Sequence, residues 1–391
     1  MRIGIYGGTF NPPHIGHVHA AQEAARALHL DRLLIVPDNI PPHKQMPEGS
    51  PTNSQRVEMA ELAFGGIPNA EVSDLELRRP GKSYSVDTLR QVHAMYPDAE
   101  LWLLMGSDML EILHLWHEPE TITALARIGT FARGDAGEQA MFSRMLPLLE
   151  HNFRARITLI PLVAQKAASS EIRRGLPAGA GTELLSPPVW GYIQREHLYG
   201  VRTDLTHLSP EQLRPVALSY LRHKRMAHVL GTEQEAVRLA ERYGAPVQQA
   251  RIAALLHDCT KKLSLQEQLA LCEQYHVDVD PLEGRLLQLL HAKTGAEIAR
   301  HVFAEPEEIC SAIRWHTTGK ADMTVLEKVI YLADCIEPNR DFPGVDVLRR
   351  TVYEDLDAGM LLCLERTIQR MEAVGDPVHP KTLEALHFLK G

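Results

Sequence analysis

Gly4-Ile5-Tyr6-Gly7-Gly8-Thr9-Phe10-Asn11-Pro12-Pro13-His14-Ile15-Gly16-His17 begins inside the aliphatic run Arg2–Tyr6 and leads straight into the helical pattern Val18–Leu28. A short aliphatic run, a glycine-rich turn and an amphipathic segment, in that order, open a βαβ unit. Outward from it, Leu33–Val36, Leu101–Met105, Ile128–Ala132 and Ile157–Pro161 repeat the strand pattern, while Ser54–Phe64 and Val86–Met95 repeat the helical one. Crossover helices cover both faces of such a sheet. The expected fold is therefore an α/β doubly wound, Rossmann-like domain, mostly parallel, with its ligand at the carboxyl ends of the strands. Asp38–Asn53, rich in proline, is the longest irregular stretch of this half, and loops of that length are commonly functional.

After Val201 the strand pattern stops. Leu208-Ser209-Pro210-Glu211-Gln212 places Ser at a helix cap, Pro in the first turn and Gln three residues after the cap. From there the sequence reads as helices only, over about 210–228, 234–243, 247–258, 265–275, 284–302, 306–316, 324–336 and 346–373. The expectation is two domains, 1–203 and 204–391, the second all-α.

A length of 391 residues suits two or three domains, and 45% hydrophobic with 23% charged residues excludes a disordered, collagenous or disulfide-scaffold chain. Lys plus Arg number 41 against 50 Asp plus Glu, a net charge of −9 that residues 1–200 and 201–391 share as about −4 and −5. Neither half looks like a nucleic-acid binder. A nucleotide remains compatible, since backbone amides, a few basic side chains or a metal hold phosphate without a net positive field. All five cysteines, Cys259, Cys272, Cys310, Cys335 and Cys363, lie in the second half without a C-x-x-C pair and read as reduced core thiols. With no signal-type segment at Met1 and no membrane-length apolar run, a soluble, cytoplasmic protein is expected.

The opening string has the physics of a phosphate site. Glycines let a polyphosphate approach the backbone, and the helix beyond offers unpaired N–H groups and a positive dipole end. His14 and His17, three apart with Gly16 between them, can point at one anion. In the second half His228, the adjacent His257-Asp258, His291, His316 and Asp334 each stand near the end of an expected helix. Imidazole and carboxylate without thiolate suit iron, manganese or zinc, and six donors exceed the need of one tetrahedral ion, which favours two metals.

The H-x-G-H string resembles the nucleotidyltransferase superfamily of that name, and its full form resembles the bacterial nicotinate-mononucleotide adenylyltransferases. Matching stretches include Pro41-Pro42-His43-Lys44, Lys82-Ser83-Tyr84-Ser85-Val86-Asp87, Gly106-Ser107-Asp108, Trp116-His117 and Ser169-Ser170-Glu171-Ile172-Arg173, with Glu171 where the family usually carries Thr. The resemblance implies transfer of the adenylyl group of ATP to nicotinate mononucleotide with Mg²⁺. It implies charge stabilisation by His14, His17 and Arg173, with His17 on the α-phosphate, and nucleotide contacts from Gly7, Gly8, Thr9, Phe10, Gly106, Asp108, Ser169 and Ser170. It also implies a phosphate contact from Lys44 and places Tyr84, Ser85 and Trp116 around the nicotinate ring and carboxylate.

His257-Asp258, Ile313-Arg314-Trp315-His316 and the stretch Tyr331 to Val345, which contains Asp334-Cys335-Ile336-Glu337-Pro338-Asn339-Arg340, resemble the bacterial HD-domain symmetrical diadenosine tetraphosphate hydrolases. That resemblance implies two irons on the six donors, cleavage of the tetraphosphate into two ADP, and Lys261 and Arg340 as phosphate-charge partners. The alternative is an HD domain that senses nucleotide or dimerises without cleaving. The expected partners are small nucleotides, with no nucleic acid and no membrane, and homo-oligomer formation stays open.

Overall fold

The computed structural model describes residues 1–42, 45–132, 134, 136–163 and 167–391. It divides into two compact units, Met1–Arg202 and Thr203–Gly391.

The first unit runs β1 (Arg2–Gly8), α1 (Ile15–Ala27), β2 (Arg32–Pro37), α2 (Asn53–Phe64), β3 (Ala70–Val72), α3 (Ser85–Met95) and β4 (Glu100–Met105). It continues with α4 (Ser107–Glu111), α5 (Pro119–Leu125), β5 (Ala126–Ala132), α6 (Ala136–Phe153), β6 (Ile157–Pro161), α7 (Ser169–Gly175) and α8 (Pro187–Arg195). The six strands pair in the order β3-β2-β1-β4-β5-β6, every pairing parallel. Alternation along the strands makes two cores. Ile3, Ile5, Leu34, Val36, Leu101 and Leu103 meet Val86, Leu89 and Val92 of α3 on one face. Tyr6, Leu33, Ile35, Trp102 and Leu104 meet Ala20, Ala21 and Ala24 of α1 and Ala60 and Phe64 of α2 on the other. Chain order reverses at β1, which lies between β2 and β4, so the loops leaving β1 and β4 open a crevice at their carboxyl ends. Three residues, Ala-Glu-Val, are too few to show a period, and β3 has no counterpart among the strands read from the sequence.

The second unit is helical, with α9 (Pro210–Ser219), α10 (His223–Tyr243), α11 (Val247–Leu256), α12 (Leu265–Gln274) and α13 (Leu287–His301). It ends with α14 (Glu307–Trp315), α15 (Val325–Ile336), α16 (Val345–Glu354), α17 (Leu356–Val374) and α18 (Pro380–Lys390). At the start of α9 the Ser209 N–H donates to Gln212 Oε1 at 3.1 Å and the Gln212 N–H donates back to Ser209 Oγ at 3.4 Å, the reciprocal cap read from the sequence. Two boundaries differ from expectation. The helix read as ending at 228 and resuming at 234 is continuous through Gly231-Thr232, the break falling instead at Arg222, whose backbone is extended. The stretch 346–373 is two helices, because Asp355 is extended and its side chain caps α17 by accepting from the Ala358 N–H at 2.8 Å. Helix α18, absent from the sequence reading, starts at Pro380 with His379 Nδ1 accepting from the Lys381 N–H at 3.1 Å.

All five cysteines are free thiols, four of them buried. Among the described residues no helix is long and apolar enough to cross a membrane.

Candidate active sites

The turn after β1 is held from below. Arg56 of α2 is almost fully buried, donating from Nη1 to the Thr9 carbonyl at 2.9 Å and from Nη2 to the Asp38 carbonyl at 2.5 Å and Asn53 Oδ1 at 2.7 Å. Phe10, expected at the nucleotide, turns its ring into the core, edge-on to Tyr6, Phe64 and His17. Its side chain is an anchor, and only its backbone is left to face a ligand. The Asn11-Pro12 peptide is cis. Helix α7 is tied to the same turn: Ser169 Oγ donates to the Pro12 carbonyl at 3.0 Å, and Arg173 Nη1 donates to the Asn11 carbonyl.

At the head of α1 the His14 and His17 rings stack with centroids 3.8 Å apart. The His14 backbone N–H donates to His17 Nδ1 at 3.3 Å. That bond makes Nδ1 an acceptor and places the His17 proton on Nε2, where it can be donated to an oxyanion. Burial lowers the His14 pKa to about 4, so at neutral pH it is an uncharged imidazole. Across the crevice, Gly106 stands at the N-cap of α4, and a Cβ there would stand 2.5 Å from Asp108 Oδ1, so the Asp108 carboxylate lies against the Gly106 backbone. Tyr84 caps α3, which begins at Ser85, and its ring lies 4.6 Å from that of His117, while Trp116 packs against the core beside it. Gly7 and Gly8 end β1, and Ser170 stands exposed on α7. Lys44 lies outside the described residues.

In the second unit the six imidazole and carboxylate residues converge from α10, α11, α13, α14 and α15. Asp258, fully buried, is their centre. Its Oδ2 faces His257 Nε2 at 3.5 Å and His228 Nε2 at 3.9 Å, and its Oδ1 faces His291 Nε2 at 3.2 Å and His316 Nε2 at 4.0 Å. Asp334 Oδ1 lies 3.0 Å from His228 Nε2, and His291 and His316 meet through their Nε2 atoms at 3.1 Å. The helix ends explain why histidine works here. His257 and His316 follow the last residues of α11 and α14, where last-turn carbonyls need donors. Their Nδ1 atoms meet the carbonyls of Ala254 at 2.7 Å and Ile313 at 2.6 Å, which aims each Nε2 inward as a lone-pair donor.

Protonation follows from the same packing. Burial lowers the pKa of His257, and lowers those of His291 and His316 to about 4. Burial alone would raise the two carboxyls. Lys261 beside Asp258 and Arg340 beside Asp334 counter it, and both carboxyls are held well below the usual range. His228 Nε2, His257 Nε2 and Asp258 Oδ1 are buried with no hydrogen-bond partner. Uncharged His257, His291 and His316, two ionised carboxylates and unmet inward lone pairs fit a divalent metal.

Residues 5–175 match the cytidylyltransferase-like family, and residues 225–339 match the HD domain. The first half is 35% identical over 199 residues to a Listeria monocytogenes protein described as a "probable nicotinate-nucleotide adenylyltransferase", covering 51% of this chain and 97% of the relative. A Geobacillus thermodenitrificans protein of the same description is 38% identical over 206 residues, covering 52% of this chain and 88% of its own length. The chain belongs to the nicotinate-nucleotide adenylyltransferase family. Both matches cover about half of this chain. A solved structure described as a predicted HD superfamily hydrolase involved in NAD metabolism, from Clostridium acetobutylicum, shares 38% identity, covers 47% of this chain and 97% of its own, and has a TM-score of 0.46.

Three residues of the adenylyltransferase and HD units escaped the sequence reading. Arg56 gave no signal, since a buried arginine looks like any helix-surface cation. Arg225, which pairs through Nε with Asp258 Oδ2, stands three residues before His228, so the two share a face of α10. Glu337, whose Oε1 meets His228 Nδ1 at 3.1 Å, stands in the stretch Tyr331 to Val345, three residues after Asp334. Arg340 Nη2 pairs with Asp334 Oδ1 at 2.6 Å, and Lys261 Nζ lies 3.0 Å from His291 Nε2 and 3.8 Å from Asp258 Oδ1. Three cations therefore border the carboxylates of the HD site, and that border suits a phosphate-rich ligand.

Proposed function

We propose that the chain is a bifunctional enzyme: its first unit adenylylates nicotinate mononucleotide, and its HD unit splits diadenosine tetraphosphate into two ADP. For the first reaction, a phosphate oxygen of nicotinate mononucleotide attacks the α-phosphorus of ATP and the bond to the bridging oxygen breaks. The products are nicotinic acid adenine dinucleotide and pyrophosphate. Mg²⁺ carried by ATP would supply neutralisation of charge on the leaving pyrophosphate. The His17 Nε2 proton is held toward the α-phosphate, neutral His14 adds a donor without a second charge, and Arg173 balances the triphosphate. Such transfer rests on positioning and charge stabilisation and needs no covalent intermediate. Gly7, Gly8, Thr9, Gly106, Asp108, Ser169, Ser170 and Lys44 are assigned to ATP, and Tyr84, Ser85 and Trp116 to the nicotinate ring and its carboxylate.

In the HD unit His228, His257 and Asp334 would hold one ion, His291 and His316 the other, and Asp258 would face both. Two irons would supply Lewis-acid neutralisation of phosphate oxygens and an activated water. Arg225, Lys261 and Arg340 would receive the remaining phosphate charge. The single observation behind this reading is Asp258, fully buried with one oxygen toward each pair of imidazoles. The test is to incubate the metal-replete full chain with ATP plus nicotinate mononucleotide, and separately with diadenosine tetraphosphate, and to identify the products by chromatography. Dinucleotide and ADP respectively are expected. Binding of the tetraphosphate without ADP release would replace the hydrolase by a sensor.

A further inference from the structure

We propose that Glu337 is a positioning residue for metal binding: its carboxylate accepts the Nδ1 proton of His228 and fixes that imidazole with Nε2 toward Asp258 and Asp334. This rests on the metal reading of the HD unit. His257 and His316 obtain their orientation from helix-end carbonyls, but His228 is the sixth residue of α10, where backbone carbonyls are engaged in helical bonds. Its orienting acceptor has to come from another element. Glu337 supplies it from the end of α15, 1% exposed, with Oε1 at 3.1 Å from Nδ1.

The carboxylate is itself clamped. Its second oxygen, Oε2, accepts from the Asn339 backbone N–H at 2.7 Å and from Asn339 Nδ2 at 2.9 Å. Asn339 Nδ2 also donates to the Ala227 carbonyl at 3.1 Å, so the clamp closes on the turn of α10 that carries His228. Buried carboxylates are costly unless both oxygens meet donors, and here both do. Gly231 completes the arrangement. It lies three residues after His228, and a Cβ there would stand 2.3 Å from Glu337 Oε2 and 2.9 Å from Asn339 Nδ2. Mid-helix glycine weakens a helix relative to alanine, and at this position it makes room for the carboxylate.

Glu337→Gln offers one oxygen to two sets of donors, so its amide NH₂ must face either the His228 Nδ1–H or the Asn339 N–H. Gly231→Ala keeps the carboxylate chemistry and displaces it. The experiment strips the full chain of metal and titrates it with Co²⁺ against a competing chelator, reading stoichiometry, affinity and the visible absorption of the bound ion. Loss of such an outer partner typically weakens metal binding by ~10–100-fold. Both variants should therefore bind one of two ions that much more weakly, with an altered visible spectrum, while adenylyl transfer by the same preparations is unchanged. Should Glu337→Gln fail to fold, Gly231→Ala carries the test. Wild-type affinity and spectrum in the variants would overturn the proposal even if the metal-free protein melted earlier, since Glu337 would then only tie the turn to α10. A wild-type chain that takes up no Co²⁺ would overturn the metal reading itself, and this inference with it.

Discussion

The two units build their sites from opposite materials. In the first, a contiguous turn supplies backbone and two stacked imidazoles at the head of one helix, and more distant residues such as Arg56, Ser169 and Arg173 grip that turn by its carbonyls. In the second, side chains from five helices meet around one buried carboxylate, and helix-end carbonyls aim the imidazoles. A site made of backbone tolerates the loss of a neighbour because the turn persists. A site made of converging donors has a centre, and its centre is where it breaks.

The largest expected effect follows from that centre. Asp258→Ala removes the carboxylate that faces both imidazole pairs, and should lower ADP release from diadenosine tetraphosphate by at least ~10³-fold, with metal content by elemental analysis falling alongside. Adenylyl transfer should be untouched; a parallel fall in both activities would mean that the two sites are not built independently. Next comes His17→Ala in the first unit, expected to cut kcat for dinucleotide formation by ~10²-fold or more while leaving hydrolysis unchanged, the scale for one lost charge-stabilising donor. Near-normal synthesis by this variant would remove His17 from the reaction.

Arg56→Met sharpens the contrast differently, because Arg56 holds the turn from below. Its loss leaves the Thr9 and Asp38 carbonyls without their donor and should destabilise the first unit by about 2–4 kcal/mol. Calorimetry should show the first unit's transition moving down and the helical unit's transition staying in place. A shift of both would contradict separate cores.

The smallest effect is one of pH. His14 is held near a pKa of about 4 by burial, against 6.5 for an ordinary histidine. Between those values the unfolded chain binds the proton that the folded unit refuses, so stability is complete above pH 6.5 and declines as pH falls toward 4. The decline from this group is at most about 3 kcal/mol across that window. His14→Gln should lose that component of the stability profile, measured by denaturant unfolding of the full chain at a series of pH values. An unchanged slope would show that His14 is protonated as readily folded as unfolded.

Much of the first unit was legible because its information is local. Period-two and period-3.6 patterns mark the strands and helices, and the sheet follows from their alternation. Among the strands the exception was β3, whose three residues show no period. In the helical unit Gly231-Thr232 reads as a break for the same reason that glycine usually ends helices. Nothing nearby in sequence announces that Glu337, more than a hundred residues later, needs the space. Asp355 leaves little mark in the sequence, because one extended residue between two amphipathic helices leaves the hydrophobic pattern almost unbroken.

By itself, the sequence determined the donor types: which residues can carry a proton, a lone pair or a negative charge, and which stretch can approach a phosphate. Contiguous chemistry is written contiguously, and the string from Gly4 to His17 needs only the turn it encodes. Tertiary structure alone decided direction. It turned the Phe10 ring inward, placed the His17 proton on Nε2, set Asp258 between two pairs of imidazoles, and brought Arg225 and Glu337 to the same side chains. The physical reason is that a hydrogen bond or a metal–ligand bond depends on the orientation of a ring or a carboxylate. That orientation is set by whichever helix end or carboxylate packing brings to the ring's other nitrogen.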